Sequence, residues 1–339
     1  MRSDLIRRAR IAGSILLIGL VLGPAPARAA AAPAALRIAY PAPTASFLPL
    51  WAAQDAGFFK KHDLAVEVIQ VGSSTRGMAA LLAGQIDILA GGGTGGLIAQ
   101  LQGYNDLAIF GTNVHTWVFS VYSAPSIKEV AQLRGKKLGV TRFGGTMDFA
   151  ARHFLKGQGF EPGKDVILIQ LGSAADIVTA LANGVVESGM MSVPYVFVAK
   201  RLGLRELTDL SQTGVRYAQA ALVAKRSFLK DKRDVVARFI KSQIEATHFL
   251  KNRPAEGMRI LGRYTRTDDE EILKQAYHYH VDRLLSAIPE IRPDDVRLLL
   301  EEAALTNPKA KGASPQDFID EGPVREVVRS GFVEQLYKK

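Results

Sequence analysis

The stretch TASFLPLWAAQDAGFFKKHDL, residues 44–64, decides the fold. It follows Leu36 to Tyr40, an apolar run with the length and bounds of a short strand, and Pro41, Pro43 and Pro49 punctuate the turn between them. A helix is expected to start at this turn. Ser46 stands just before Phe47, Leu48, Leu50, Trp51 and Ala52, where its hydroxyl either caps the helix or faces a ligand lying over the helix N-terminus. The helix should end near Gly57, and Leu64 to Val71 alternates as a second strand.

Outward from this unit, strand patterns alternate with helical ones, as in parallel α/β proteins. Strands are expected at 36–40, 64–71, 86–91, 107–113, 117–123, 136–142, 166–172, 188–192 and 217–224. After Lys225 the pattern turns almost wholly helical, through Asp234 to Leu250, Pro254 to Tyr264, Asp268 to Leu285 and Pro293 to Ala304.

Three segments in this order carry a family likeness: residues 44–64, Met78 to Ala90 (MAALLAGQIDILA) and Ala180 to Pro194 (ALANGVVESGMMSVP). Together they resemble the nitrate, sulfonate and taurine binding proteins of ABC importers, a group that includes binding proteins for pyrimidine precursors of thiamin. The resemblance covers nearly all of the chain after its leader. It implies an α/β fold of the type II periplasmic binding protein kind, two α/β lobes joined by two crossing strands with a ligand cleft between them. Residues 33–118 and 219–339 would form one discontinuous lobe, with the C-terminal helices, and residues 119–218 the other. The crossing strands would lie near Trp117 to Ser123 and Tyr217 to Val223.

The N-terminal 32 residues read as a signal peptide, with Arg2, Arg7, Arg8 and Arg10, an apolar run from Ile11 to Gly23, and an Ala27-Arg28-Ala29 exit. Cleavage is expected near Ala29 to Ala32, and the apolar run is too short to span a membrane. The surroundings of Arg7 and Arg8 match a twin-arginine signal poorly, so general export into the periplasm is the expectation. Of 339 residues none is cysteine, which excludes disulfides, thiol catalysis, cysteine-held metal and the acylated cysteine of a lipoprotein. The formal net charge is +10, and removal of five arginines and one aspartate with the leader leaves +6. No basic helix or interleaved aromatic stripe accompanies that charge, so no nucleic acid is implied, while a positive field favours an anionic solute.

Ligands of open α/β sheets lie at the strand-to-helix turns. Besides Ser46, the turn Val71 to Arg76 offers Ser73 and Ser74 at a helix start, with Arg76 one turn on; these hydroxyls either cap or hold an oxyanion. The run from Gly91 to Gly96 satisfies G-x-G-x-x-G but lacks the acidic residue of a dinucleotide site. Its Gly93 and Thr94 either admit a ligand to the backbone or serve close packing. In the turn from Val140 to Asp148, Arg142 would supply a forked cationic donor, and Gly144, Gly145 and Thr146 would supply amides and a hydroxyl; the alternative is an Arg142 to Asp148 pair with a cap by Thr146. In the family this turn faces the ligand from the second lobe. Trp117 and Tyr195 either wall the cleft or pack.

The six histidines are scattered, and no zinc motif, nucleophile elbow or phosphate loop is present. No cofactor or metal is expected, and no enzyme activity. The resemblance implies a monomer that captures a small solute, an organic anion such as a sulfonate or carboxylate, by lobe closure and delivers it to an ABC permease. Two alternatives stay open. One is a ligand-sensing protein serving a membrane receptor; the other is an enzyme like the fungal pyrimidine synthase, which relies on a cysteine-rich motif this chain lacks.

Overall fold

A computed structural model describes residues 32–338 except 92 and 306. The expected signal peptide falls on residues 1–32, all but the last of which lie outside the described residues. Twelve strands follow in chain order: β1 Ala34–Tyr40, β2 Leu64–Gln70, β3 Ile88–Ala90, β4 Leu107–Gly111, β5 Val114–Thr116, β6 Phe119–Ser123, β7 Lys137–Val140, β8 Ile167–Gln170, β9 Ser188–Ser192, β10 Arg205–Asp209, β11 Arg216–Gln219 and β12 Leu222–Lys225.

They build two five-stranded sheets, ordered β2-β1-β3-β12-β4 and β10-β6-β9-β7-β8, and a two-stranded ribbon of β5 with β11. In the first sheet β1 runs parallel to β2 and β3, while β12 returns antiparallel between β3 and β4. In the second, β7 runs parallel to β8 and β9, and β6 enters antiparallel beside β9. Each sheet thus takes one reversed strand from a crossing segment, and the ribbon lies between. This is the mixed α/β architecture expected.

The crossing segments differ in detail from the continuous strands expected at 117–123 and 217–224. In the first, Trp117 and Val118 lie outside any strand, β6 starts only at Phe119, and the short strand β5 precedes it where none was expected; the second breaks at Ala220, whose φ of 52° ends the ladder before β12 begins. Strand β10 was also not expected: it is a half-exposed edge strand of sequence RELTD, without the apolar alternation that marks a strand in sequence.

The quoted stretch folds into a 3-10 turn at Ala45–Phe47, the helix Leu48–Asp55 and the helical turn Phe58–Lys61. Its apolar face is buried because the helix Arg233–Asn252 packs over it. Phe59 lies 6.3 Å from Phe239 of that helix, and Trp51 stacks at 4.6 Å on Tyr264 of the next one, Pro254–Thr265. Buried Glu245 of the helix Arg233–Asn252 accepts hydrogen bonds from Lys61 Nζ at 2.7 Å and His62 Nε2 at 3.1 Å. Burial raises the Glu245 pKa, but these two partners outweigh it and hold the carboxyl below its usual range.

The ribbon is clamped in a similar way. Asp295, fully buried at the start of the helix Asp294–Ala304, accepts from His115 Nδ1 of β5 at 2.9 Å and from the Arg216 guanidinium of β11 at 2.7 Å. One carboxylate therefore ties both crossing strands to the C-terminal helices. Among the described residues, no helix is long and apolar enough to cross a membrane.

Candidate functional site

A cavity of about 300 Å³ opens where helix N-termini from both sheets converge. From the first sheet come Pro41 to Thr44 after β1 and Gly72 to Ser74 after β2; from the second come Thr141, Arg142 and Gly145 to Met147 after β7, Gly172 to Ala174 after β8, and Ser192. Parallel strands put these turns on one edge, so the helices Ser74–Leu82, Thr146–Gly157 and Ala174–Ala182 all begin at the cavity. The two sides meet closely: a Cβ on Gly145 would stand 3.5 Å from Ser74 Oγ.

Two helix starts are capped and one is open. Ser73 Oγ accepts from Arg76 N–H at 3.2 Å, and Ser173 forms a reciprocal cap with Asp176. The helix Thr146–Gly157 has Gly145 at its N-cap and no side-chain cap, which leaves its first amides without a side-chain acceptor. The loop before it is held from behind. Asp148 accepts Gly144 N–H at 2.9 Å and Arg152 Nε at 3.0 Å, so the carboxylate that Arg142 was expected either to pair with or to leave is occupied by Arg152.

Arg142 and Arg76 are the charged residues of the lining, and among the described residues neither has a carboxylate in salt-bridge range. Arg142 Nε is buried without a hydrogen-bond partner, as are Ser192 Oγ and Gln219 Oε1, which line the same cavity. Apolar walls come from Phe47, Val118, Phe119 and Met147. The arrangement offers cationic and amide donors in a partly apolar setting, which suits a small organic anion.

Of the residues singled out in sequence, Ser73, Ser74, Arg142, Gly145 and Thr146 come together in this lining. Arg76 joins them, and the remaining candidates lie off it. Ser46 is buried in the 3-10 turn and makes no helix cap. Gly93 serves close packing, since a Cβ there would meet Ile109 at 3.3 Å and Leu299 at 3.4 Å. Thr94 shares a 2.7 Å hydrogen bond with the Tyr217 hydroxyl. Trp117 is buried and stacks on Tyr217 at 3.8 Å. Gly144, with φ of 73°, shapes the loop, and Tyr195 packs against the core of the second sheet. Sequence reading did not single out Ser192 or Gln219.

A second cavity, of about 340 Å³, is lined by Thr94, Phe149, Arg152, His153, Lys156 and Glu302 among others. Burial raises the Tyr217 pKa, opposed by hydrogen bonds with Thr94, which lines the second cavity, and Thr146, which lines the first. No group of three or more His, Asp or Glu residues suited to a metal occurs among the described residues.

Two α/β sheets joined by a ribbon, with a cavity at their facing helix starts, define the class of periplasmic binding protein folds. Solved structures agree. The periplasmic nitrate-binding protein NrtA from Synechocystis PCC 6803 is 17% identical with a TM-score of 0.72, covering 87% of this chain and 88% of that one. The periplasmic aliphatic sulphonate binding protein SsuA from Escherichia coli is 19% identical with a TM-score of 0.69, covering 85% and 92%. By sequence, YtlA of Bacillus subtilis, provisionally named a binding protein, is 25% identical over 252 residues, 71% of this chain and 75% of its own. The NMT1/THI5-like family model matches residues 44–257, and the chain belongs to that family.

Proposed function

We propose that this chain is the solute-binding component of an ABC importer, taking a small organic anion such as a sulfonate or carboxylate into the cavity between its sheets. Residues 33–118 and 219–339 act as one lobe and 119–218 as the other, and the segments running through the β5 and β11 ribbon serve as hinge. Closure brings the Ser73 and Ser74 turn onto a solute held by Arg142, Gly145 and Thr146, and the closed surface is what the membrane permease reads. The protein works as an exported monomer and releases its ligand unchanged.

The observation that carries this reading is Arg142, whose buried Nε has no partner among the described residues, in a cavity whose described lining holds two arginines and no carboxylate. A buried guanidinium nitrogen without an acceptor costs free energy that a bound anion returns. The nitrate and sulphonate ligands named for NrtA and SsuA point to the same chemistry.

The test is a thermal-shift screen of the ligand-free protein against sulfonates, carboxylates, nitrate, pyrimidines and amines. Binding to the native state alone raises the melting temperature by mass action, by about 2.7 kcal/mol of stability at a hundredfold excess over Kd. An upward shift with an organic anion class is expected. A shift confined to pyrimidines or amines, or none with any anion, overturns the reading.

A further inference from the structure

The cavity holds a concentration of unmet hydrogen-bonding demand that a bare anion does not answer. Nine buried side-chain polar atoms among the described residues lack a partner, and three of them, Arg142 Nε, Ser192 Oγ and Gln219 Oε1, line this one cavity. Arg142 Nε is a donor and calls for negative charge. Ser192 and Gln219 are neutral and stand at strand ends, Ser192 closing β9 and Gln219 closing β11, at 2% and 6% exposure. Folding has placed two uncharged polar groups where water barely reaches, and no backbone group or side chain among the described residues answers these atoms.

We infer, resting on the anion reading above, that Ser192 and Gln219 form a second recognition point for a neutral hydroxyl or amide on the solute. The ligand class is then an apolar-bodied organic anion that also carries an uncharged hydrogen-bonding group. A planar amide turned either way leaves a donor or an acceptor at the buried Gln219 position, and a serine hydroxyl serves as either. A ligand hydroxyl or amide, which both donates and accepts, satisfies every such arrangement. A ligand cation does not, because the lining holds no carboxylate. An inorganic oxyanion engages Arg142 and leaves the neutral pair and the Phe47, Phe119 and Met147 walls without a partner. The discrimination expected is large, since a site built to bond a hydroxyl rejects the analogue lacking it through the groups left unpaired.

The test uses calorimetry with two matched pairs, propanesulfonate against 3-hydroxypropanesulfonate and benzoate against 4-hydroxybenzoate, on the wild-type protein and on Ser192→Ala, Gln219→Leu and Arg142→Ala. In the wild type the hydroxylated member of at least one pair should bind about tenfold tighter or better. In Ser192→Ala and Gln219→Leu that ratio should collapse towards one. The ligand-free forms of these two variants should melt no lower than the wild type, because each substitution removes an unpaired buried atom. Ser192→Ala, the smaller change, carries the test if Gln219→Leu fails to fold. Equal binding within both pairs, the outcome if water satisfies both atoms, overturns the inference while Arg142-dependent binding leaves the anion reading standing. Binding by neither member of either pair overturns the inference, and if Arg142→Ala also leaves other anions unaffected, the anion reading falls with it.

Discussion

The first cavity shows Arg76 and Arg142, with no carboxylate in range among the described residues; the second shows Arg152, His153 and Lys156, each already paired. Arg152 holds Asp148, and Glu302 takes His153 Nδ1 at 3.3 Å and Lys156 Nζ at 2.7 Å. Both cavities are of similar size and both have apolar walls, so volume does not separate them. What separates them is where the positive charge is satisfied. In the second cavity it is satisfied within the chain, tying the helix Thr146–Gly157 beside the second sheet to the C-terminal helix Asp294–Ala304. In the first it is left for something from outside.

The comparison breaks most readily at Arg142. Arg142→Ala should weaken an anionic ligand by tens-fold or more, roughly 1.5–3 kcal/mol for a hydrogen bond to a charged group, and calorimetry should show it while the melting of the ligand-free protein stays unchanged. Arg142→Lys sharpens the point. Lysine keeps the charge but lacks the guanidinium fork, so it should restore only part of the loss if the buried Nε is a ligand donor. Full restoration would mean that charge alone matters there.

The first-cavity residues found in sequence share a pattern that sequence can carry. Ser73, Ser74, Arg142, Gly145 and Thr146 each follow a buried or half-buried strand and precede a helix, and a strand-to-helix turn in a parallel unit has only one place to be. The strands 86–91 and 107–113 were legible for a related reason, since each holds a short apolar run buried on both faces. Ser192 and Gln219 have no such mark. Both reach the cavity because β9 lies beside β7 while β11 pairs with β5 far along the chain, and that is a consequence of sheet order. Ala220 shows the same limit. Its left-handed φ of 52° breaks the second crossing segment, and alanine, unlike glycine, announces nothing. Gly93 and Thr94 show the converse, a conspicuous glycine run spent on packing a helix against β4 and a partner for Tyr217.

Smaller effects test the second cavity, where the charges are spoken for. Glu302→Gln removes the carboxylate shared by His153 and Lys156. Because those partners are 29% and 46% exposed, the stability loss should be about 1 kcal/mol, with any change in ligand affinity coming through closure and not through contact. The wild-type pH dependence supplies the sign. Burial raises the Glu302 pKa, but hydrogen bonds and charge from Lys156 and His153 outweigh it and hold it below the ordinary 4.5. A carboxyl depressed in the folded state contributes stability that is fully present above about pH 4.5 and is lost as pH falls through the folded value. The melting difference between wild type and Glu302→Gln should therefore be constant above that range and close as the solution is acidified below it. A difference that stays constant into acid would show that the carboxylate charge contributes nothing. Arg152→Ala should do least to binding. Its guanidinium is 41% exposed, but Asp148 is 5% exposed and would keep only its bond from Gly144 N–H, so the ligand-free protein should melt lower. Anion affinity should be untouched; a tens-fold loss there would put Arg152 at the ligand and erase the distinction between the two cavities.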